Sequence, residues 1–168
     1  MNDAGKRCCF VNISAIKAVA GFANEIGKGN PAATLSYERV CQGNKLRALI
    51  IAAHGSRKRQ SNEEVADLAK RIAVKIKDQF DTVDHAFLQF AHPSLEHKIQ
   101  RLIQNGVKNI VVFPFFTGSG SHILVDIPQL VEQKKNEYNN VDIRICRHLG
   151  KLFAIEDIIV DEVTSQSR

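Results

Sequence analysis

The feature that most constrains the fold is a regular alternation of short apolar runs and amphipathic stretches that begins at Leu46. Four runs predict strands, at 46–53, 83–90, 109–113 and 142–146. Apolar residues at helical spacing follow each of them and predict helices at 62–80, 94–104, 121–138 and 152–163, with Ser61 or Asn62 as the first N-cap. Parallel strands need helical crossovers. The pattern therefore predicts an α/β domain with a doubly wound, flavodoxin-like parallel sheet of four strands in the order 2-1-3-4.

Residues 1–45 show no such period. They are apolar in patches, but glycines and Pro31 break the patches and Lys17 interrupts the best candidate for a signal sequence. No run in the chain approaches the ~20 apolar residues of a membrane span, so no membrane partner is expected. We expect a poorly ordered N-terminal extension at 1–45, with a partner-binding arm as the alternative, and one α/β domain at 46–168.

Charge and cysteine content exclude further classes. More than half of the net charge of +5 falls in the first 45 residues, and no basic stripe with interleaved aromatic residues occurs. Nucleic-acid binding is therefore not expected. The four cysteines contain no CxxC pair, which predicts neither a zinc site nor a disulfide framework and favours a cytoplasmic location.

Two histidines follow the strands that should flank the binding crevice. In a sheet of this order, ligands bind beyond the carboxyl ends of the strands, here between strands one and three. His54 follows strand one and His122 follows strand three, while Gln89 and His92 stand near the end of strand two. Neutral imidazoles can bind divalent transition metals or accept protons. The sequence thus predicts that His54 and His122 meet at one crevice, with His92 at its rim.

The stretch Gly118-Ser119-Gly120-Ser121 leads from strand three into the next predicted helix. Backbone N–H groups of such a small-residue loop can hold an anion, although an ordinary capped connection is the alternative. The stretch matches neither the dinucleotide fingerprint nor a P-loop. The remaining histidines, His85, His97 and His148, are expected in packing or surface positions.

Several segments, in order, resemble the class II tetrapyrrole chelatases, the CbiX/SirB-type sirohydrochlorin cobaltochelatases and ferrochelatases. They are AHGSR at 53–57 followed by Ser61-Asn62, AFLQFAHPSL at 86–95, VVFPFFTGSGSHILVDIP at 111–128 and Leu149-Gly150. The resemblance implies insertion of Co²⁺ or Fe²⁺ into sirohydrochlorin, for cobalamin or sirohaem synthesis. It carries the two active-site histidines of the family onto His54 and His122 and implies no cofactor beyond the metal.

The resemblance also implies partners. Sirohydrochlorin carries many carboxylates, for which Arg57, Gln89 and the loop 118–121 are the expected binding residues; a solvated loop cation is the alternative for Arg57. One set of motifs without an internal repeat predicts a homodimer.

One departure from the family pattern affects the predicted function. Where the family usually shows Glu-x-x-Glu-Pro-Ser, this chain has Gln89 and His92. Gln89 cannot act as a base, whereas His92 has a nitrogen that can bind metal or accept a proton. A non-catalytic metal-binding or tetrapyrrole-binding protein is therefore the alternative, and an interaction module that uses the extension is a third hypothesis.

Overall fold

The computed structural model describes residues 45–166. The predicted extension, apart from its last residue, and residues 167–168 lie outside the described residues. The elements are β1 (Arg47–Ala53), α1 (Arg59–Lys75), β2 (Thr82–Phe87), α2 (Leu95–Gln104), β3 (Asn109–Pro114), a π-helical turn (His122–Asp126), α3 (Ile127–Glu137), β4 (Asp142–Ile145), a 3₁₀ turn (Leu149–Lys151) and α4 (Ala154–Ser165).

The strands form one parallel sheet in the order β2-β1-β3-β4, which confirms the predicted topology. β1 lies in the interior of the sheet, with Ile50 paired to Asp84 of β2 on one side and to Val112 of β3 on the other. A strand covered on both faces has no polar face, which explains why β1 is a continuous apolar run. The order also brings the carboxyl ends of β1 and β3 side by side.

Alternate residues of β1 pack into different cores on the two faces of the sheet. Ala48, Ile50 and Ala52 belong to a core with α2 and α3. Leu49 and Ile51 pack with the apolar side of α1. Burying an isoleucine side chain of this kind contributes about 1.5–3 kcal/mol. The helices on both faces hold the sheet and fix the positions of the loops that follow β1 and β3.

The start of α1 differs from the prediction. The helix begins at Arg59 after Lys58, and no side chain caps it. Asn62 lies inside the helix, where its side chain bonds the backbone of Ser56 instead. The predicted caps at Ser61 or Asn62 were therefore wrong. The helix ends at Lys75, and Ile76 and Phe80 pack against the α1 core from the segment that follows.

The predicted helix at 121–138 is interrupted by the π-helical turn. The N–H of Ile127 donates to the carbonyl of His122, five residues back. Pro128 follows immediately and has no N–H to continue a regular ladder, which accounts for the wider turn at this place. β2 also ends earlier than predicted, at Phe87.

The last helix, α4, buries none of its residues. Phe153 before it, and Ile158, Ile159, Val160 and Val163 on it, are each more than half exposed. Within the described part of the chain, no helix combines the length and the apolar character needed to cross a bilayer.

Candidate metal and tetrapyrrole site

The structure brings His54 and His122 together at the carboxyl ends of β1 and β3. His54 is the first residue after β1 and is exposed, and His122 is the first residue of the π-helical turn beyond β3. Their ring centroids are 4.9 Å apart and their planes are at 88°. Two imidazoles at this distance can act on one ligand, so the geometry suits a shared metal ion or shared proton transfer.

Asp126 holds the His122 ring. The Nδ1–H of His122 donates to Oδ2 of Asp126 at 2.5 Å, and the imidazole is largely buried. This bond fixes the tautomer and leaves the Nε2 lone pair available, an arrangement typical of metal-binding histidines. The sequence reasoning did not identify Asp126. The sequence does contain a signal for this residue: Asp126 follows His122 by four residues, a spacing that places both side chains on one face of a helix.

The backbone of the loop after β1 is fixed by close contacts with the loop after β2. Gly55 has a φ of +91°, and a Cβ placed on it would lie 1.9 Å from the carbonyl oxygen of Gln89. The N–H of Gln89 donates to the carbonyl of His54 at 2.9 Å. Glycine is required here both for its φ and for this approach.

Asn62 anchors the same loop from α1. Its Oδ1 accepts the N–H of Ser56 at 2.9 Å, and its Nδ2 donates to the carbonyl of Ser56 at 2.7 Å. The pairing of Ser56 with a side chain on a helix holds the backbone just after His54 and so contributes to the position of that imidazole.

Phe90 is a further residue that the sequence reasoning missed. Its backbone φ is +58°, in the left-handed region, and its side chain is 58% exposed. Its ring lies parallel to that of His54, with centroids 5.8 Å apart and an interplanar angle of 6°. The guanidinium carbon of Arg57 lies 5.0 Å from the centre of the same ring. A phenylalanine near a strand end suggests core packing, so the sequence carried no signal for this exposed stack.

Two cavities divide the other predicted site residues, and His122 lines one of them. A cavity of about 310 Å³, the acidic cavity, is lined by Gln89, Glu96, His122 and Asp126 among others. A cavity of about 360 Å³, the arginine cavity, is lined by Arg57, Arg59, Glu63, His85, Phe90 and His92 among others. The structure thus places Gln89 with His122 and places His92 with Arg57.

Among residues 45–166, no three histidine, cysteine or acidic side chains are arranged to hold a metal ion. The role of His92 as a ligand stays a prediction.

The loop 118–121 is exposed, and its neighbours hold it from one side. The buried His148 donates from Nδ1 to the carbonyl of Phe116 at 3.1 Å, and its Nε2 accepts from the hydroxyl of Ser119 at 3.0 Å. A Cβ on Gly150 would lie 1.9 Å from the carbonyl oxygen of Thr117, so the segment 149–150 packs closely on the loop. The Ser119 hydroxyl is therefore engaged within the protein. Binding of substrate by Gly118, Ser119, Gly120 and Ser121 stays a prediction.

A comparison with known families agrees with this geometry. The family model for CbiX matches residues 48–166, which include both histidines and all of the sheet except Arg47. The chain belongs to the CbiX family. The described elements of this CbiX-family chain all lie within or at the edge of the matched residues.

Curated relatives of this CbiX-family chain include two kinds of named enzyme. It is 32% identical over 115 residues to the chloroplastic sirohydrochlorin ferrochelatase of Arabidopsis thaliana, covering 68% of this chain and 50% of the relative. It is 30% identical to the sirohydrochlorin cobaltochelatase of Sulfurisphaera tokodaii, covering 68% of this chain and 89% of the relative. The match to the Methanococcus aeolicus cobaltochelatase covers 59% of that protein. The chain thus spans about half of the plant relative and somewhat more of the Methanococcus one.

Solved structures agree with the fold. The structure described as a putative cobalamin biosynthesis CbiX protein from Marinobacter aquaeolei matches with a TM-score of 0.58 and 26% identity, over 74% of this CbiX-family chain and all of that chain. SirB from Bacillus subtilis with Fe³⁺ matches with a TM-score of 0.61 and 21% identity, over 69% of this chain and 45% of that one. At that identity, the SirB match supports the fold alone.

Proposed function

We propose that this CbiX-family chain inserts Co²⁺ or Fe²⁺ into sirohydrochlorin, on the route to cobalamin or sirohaem. The observation that carries the proposal is the pair of imidazoles at the sheet edge, with centroids 4.9 Å apart and one ring held by a carboxylate. The names of the Arabidopsis thaliana ferrochelatase and the archaeal cobaltochelatases support the same reaction. Imidazole nitrogen suits cobalt and iron better than magnesium, which prefers oxygen ligands.

The two histidines have two tasks in this reaction. As neutral rings they offer nitrogen lone pairs that can hold the divalent metal next to the macrocycle. Insertion then displaces the protons of two pyrrole N–H groups, and an imidazole is a suitable acceptor near neutral pH. Asp126 orients the His122 ring for both tasks because its carboxylate accepts from Nδ1. The reaction requires no cofactor beyond the metal that is inserted.

A second candidate is a protein that binds metal or tetrapyrrole without completing insertion. Gln89 favours it, because this neutral side chain lines the acidic cavity with His122, at a position where the resemblance leads us to expect a glutamate. A neutral side chain at this position is compatible with storage or delivery of the metal.

We also propose a homodimer as the working form, in the cytoplasm. The exposed apolar residues of α4 support the dimer, because Ile158, Ile159 and Val160 are consecutive and cannot all share one face of the helix. A helix that is apolar on more than one face is normally buried against a partner. The cysteine content supports the location.

An anaerobic assay tests the chelatase proposal. Purified protein is incubated with sirohydrochlorin and with Co²⁺ or Fe²⁺ in parallel, and the change in the absorption spectrum is followed against a reaction without protein. The proposal expects insertion above the spontaneous rate with at least one metal. Tight binding of metal and sirohydrochlorin by calorimetry, with insertion only at the spontaneous rate, would contradict it and support the second candidate.

A further inference from the structure

The arginine cavity and the acidic cavity carry charge of opposite sign. Arg57, Arg59, His85 and His92 line the arginine cavity, with Glu63 as its one carboxylate. The acidic cavity contains two carboxylates: Glu96, which is paired with Lys134 at 3.1 Å, and Asp126, which accepts from His122. The arginine cavity therefore favours an anion more than the acidic cavity does, and such local fields act on a charged substrate.

Arg57 is the cation of the arginine cavity that is available for a ligand. Arg59 is paired with Glu63 at 2.7 Å, one helical turn away. Among the described residues, by contrast, Arg57 has no carboxylate partner, and its guanidinium group lies over the ring of Phe90. An arginine that is held on an aromatic face keeps its N–H donors free at its edge, and these donors match a carboxylate in a two-pronged arrangement.

His85 adds a nitrogen whose orientation is fixed. Its Nδ1 lies 3.2 Å from Oδ1 of Asp84, and the other oxygen of Asp84 accepts from Nζ of Lys98 at 2.5 Å. With Nδ1–H directed to Asp84, the neutral ring has only Nε2 left for the cavity, and this nitrogen accepts a hydrogen bond rather than donating one to a carboxylate. His92 is exposed on the loop after β2 and lines the same space.

We propose that the arginine cavity binds a peripheral carboxylate of the tetrapyrrole, with Arg57 as the main cation and His92 as a further donor. The inference rests on the proposed function, because it assumes a polycarboxylate macrocycle next to the histidine pair. Phe90 connects the arginine cavity with the histidine pair. Its ring is parallel to that of His54, and the guanidinium group of Arg57 lies over the same ring. A carboxylate on Arg57 is thus one aromatic ring away from His54. Within the part of the chain that the structure describes, no lysine or arginine lines the acidic cavity, so a peripheral carboxylate favours the arginine cavity.

The test measures binding of metal-free sirohydrochlorin to the full chain by absorbance titration. The variants are Arg57→Gln and His92→Gln. The chain offers matched controls, Arg101→Gln and His97→Gln, since both residues line a separate cavity on α2. Circular dichroism and urea unfolding establish that every variant is folded.

The expected result is a Kd for sirohydrochlorin about 10- to 100-fold higher in Arg57→Gln, a smaller rise in His92→Gln, and values within about twofold of wild type in the controls. Affinity for Co²⁺ alone stays at the wild-type value in Arg57→Gln. Wild-type binding of sirohydrochlorin by both variants, or losses as large in the controls, would overturn the inference. Loss of Co²⁺ binding in His92→Gln would also overturn the inference for His92, because it would show that this residue binds the metal.

The outcome separates this inference from the chelatase proposal. Sirohydrochlorin binding that depends on Arg57 without any metal insertion would support the cavity and contradict the enzyme. Metal insertion by Arg57→Gln and His92→Gln at the wild-type rate and the wild-type KM for sirohydrochlorin would support the enzyme and contradict the cavity.

Discussion

Replacement of Gly55 by alanine tests how the loop after β1 is held. Gly55 has a φ of +91°, and an added Cβ would lie 1.9 Å from the carbonyl oxygen of Gln89 and 3.1 Å from Cβ of Phe87. The first atom belongs to the backbone and cannot rotate away. The loop must therefore shift, and because Gln89 donates its N–H to the carbonyl of His54, the shift reaches the candidate site.

Two costs add in this variant. A side chain in the left-handed region costs about 1–2 kcal/mol. Forcing a methyl group against packed backbone costs about 1–3 kcal/mol more. We therefore expect Gly55→Ala to lower the free energy of unfolding by about 2–5 kcal/mol, and the rate of metal insertion to fall as well.

Other glycines of the same chain separate the two costs. Gly106 has a φ of +85° but no atom within 4 Å of an added Cβ, so its alanine variant should lose only the conformational part, about 1–2 kcal/mol. Gly150 has the close contact, 1.9 Å to the carbonyl of Thr117, without a positive φ. Gly118 has neither feature, and Gly118→Ala should stay within about 0.5 kcal/mol of wild type.

The assay is urea unfolding followed by circular dichroism, with free energies from linear extrapolation. The predicted order of destabilisation is Gly55→Ala, then Gly150→Ala and Gly106→Ala, then Gly118→Ala. A Gly55→Ala variant that is no less stable than Gly106→Ala would refute the steric argument, and with it the role of Gln89 in fixing the loop.

Three further predictions follow from the geometry. Asp126→Asn removes the anionic partner of His122 and should slow metal insertion about 10- to 100-fold in the anaerobic assay; an unchanged rate would contradict the role of Asp126. Burial lowers the pKa of His85 below its usual value of 6.5, although Asp84 acts in the opposite direction and Lys98 and Lys70 act with burial. The contribution of the neutral His85 to the free energy of unfolding is therefore complete above about pH 6.5 and is lost as the pH falls. In urea titrations between about pH 7.5 and 5.5, His85→Gln should lose less of its free energy of unfolding than wild type does. Equal losses in the two proteins would argue against this assignment. Ile159→Asp on α4 should convert a dimer to monomer in sedimentation experiments, whereas a variant dimer as stable as wild type would place the interface elsewhere.

The fold was accessible from the sequence because its determinants are local and periodic. The apolar run of β1 indicates a strand buried on both faces, and the amphipathic segments between strands require crossovers on both faces of the sheet. The predicted ends of the helices and strands were less accurate. The start of α1 was misplaced because the Asn62 side chain bonds Ser56 rather than the helix terminus, and this choice depends on a tertiary contact.

The candidate site was accessible only in part. The meeting of His54 and His122 follows from strand order, which sequence periodicity determines. The position of Phe90 depends on a left-handed backbone conformation that a residue of this type seldom adopts, so no local sequence pattern predicts this position. The separation of Gln89 from His92 into different cavities depends on the path of the loop after β2, which has no periodicity to reveal it.

The rate of metal insertion in histidine variants tests directly whether His54 and His122 carry out the proposed reaction. His54→Ala, His122→Ala and the control His97→Ala are compared with wild type under single-turnover conditions, with Co²⁺ and Fe²⁺ in separate reactions. His97 lies on α2 and lines a different cavity. We predict that His54→Ala and His122→Ala fall to near the spontaneous rate while His97→Ala keeps the wild-type rate. Wild-type insertion by either His54→Ala or His122→Ala would contradict it.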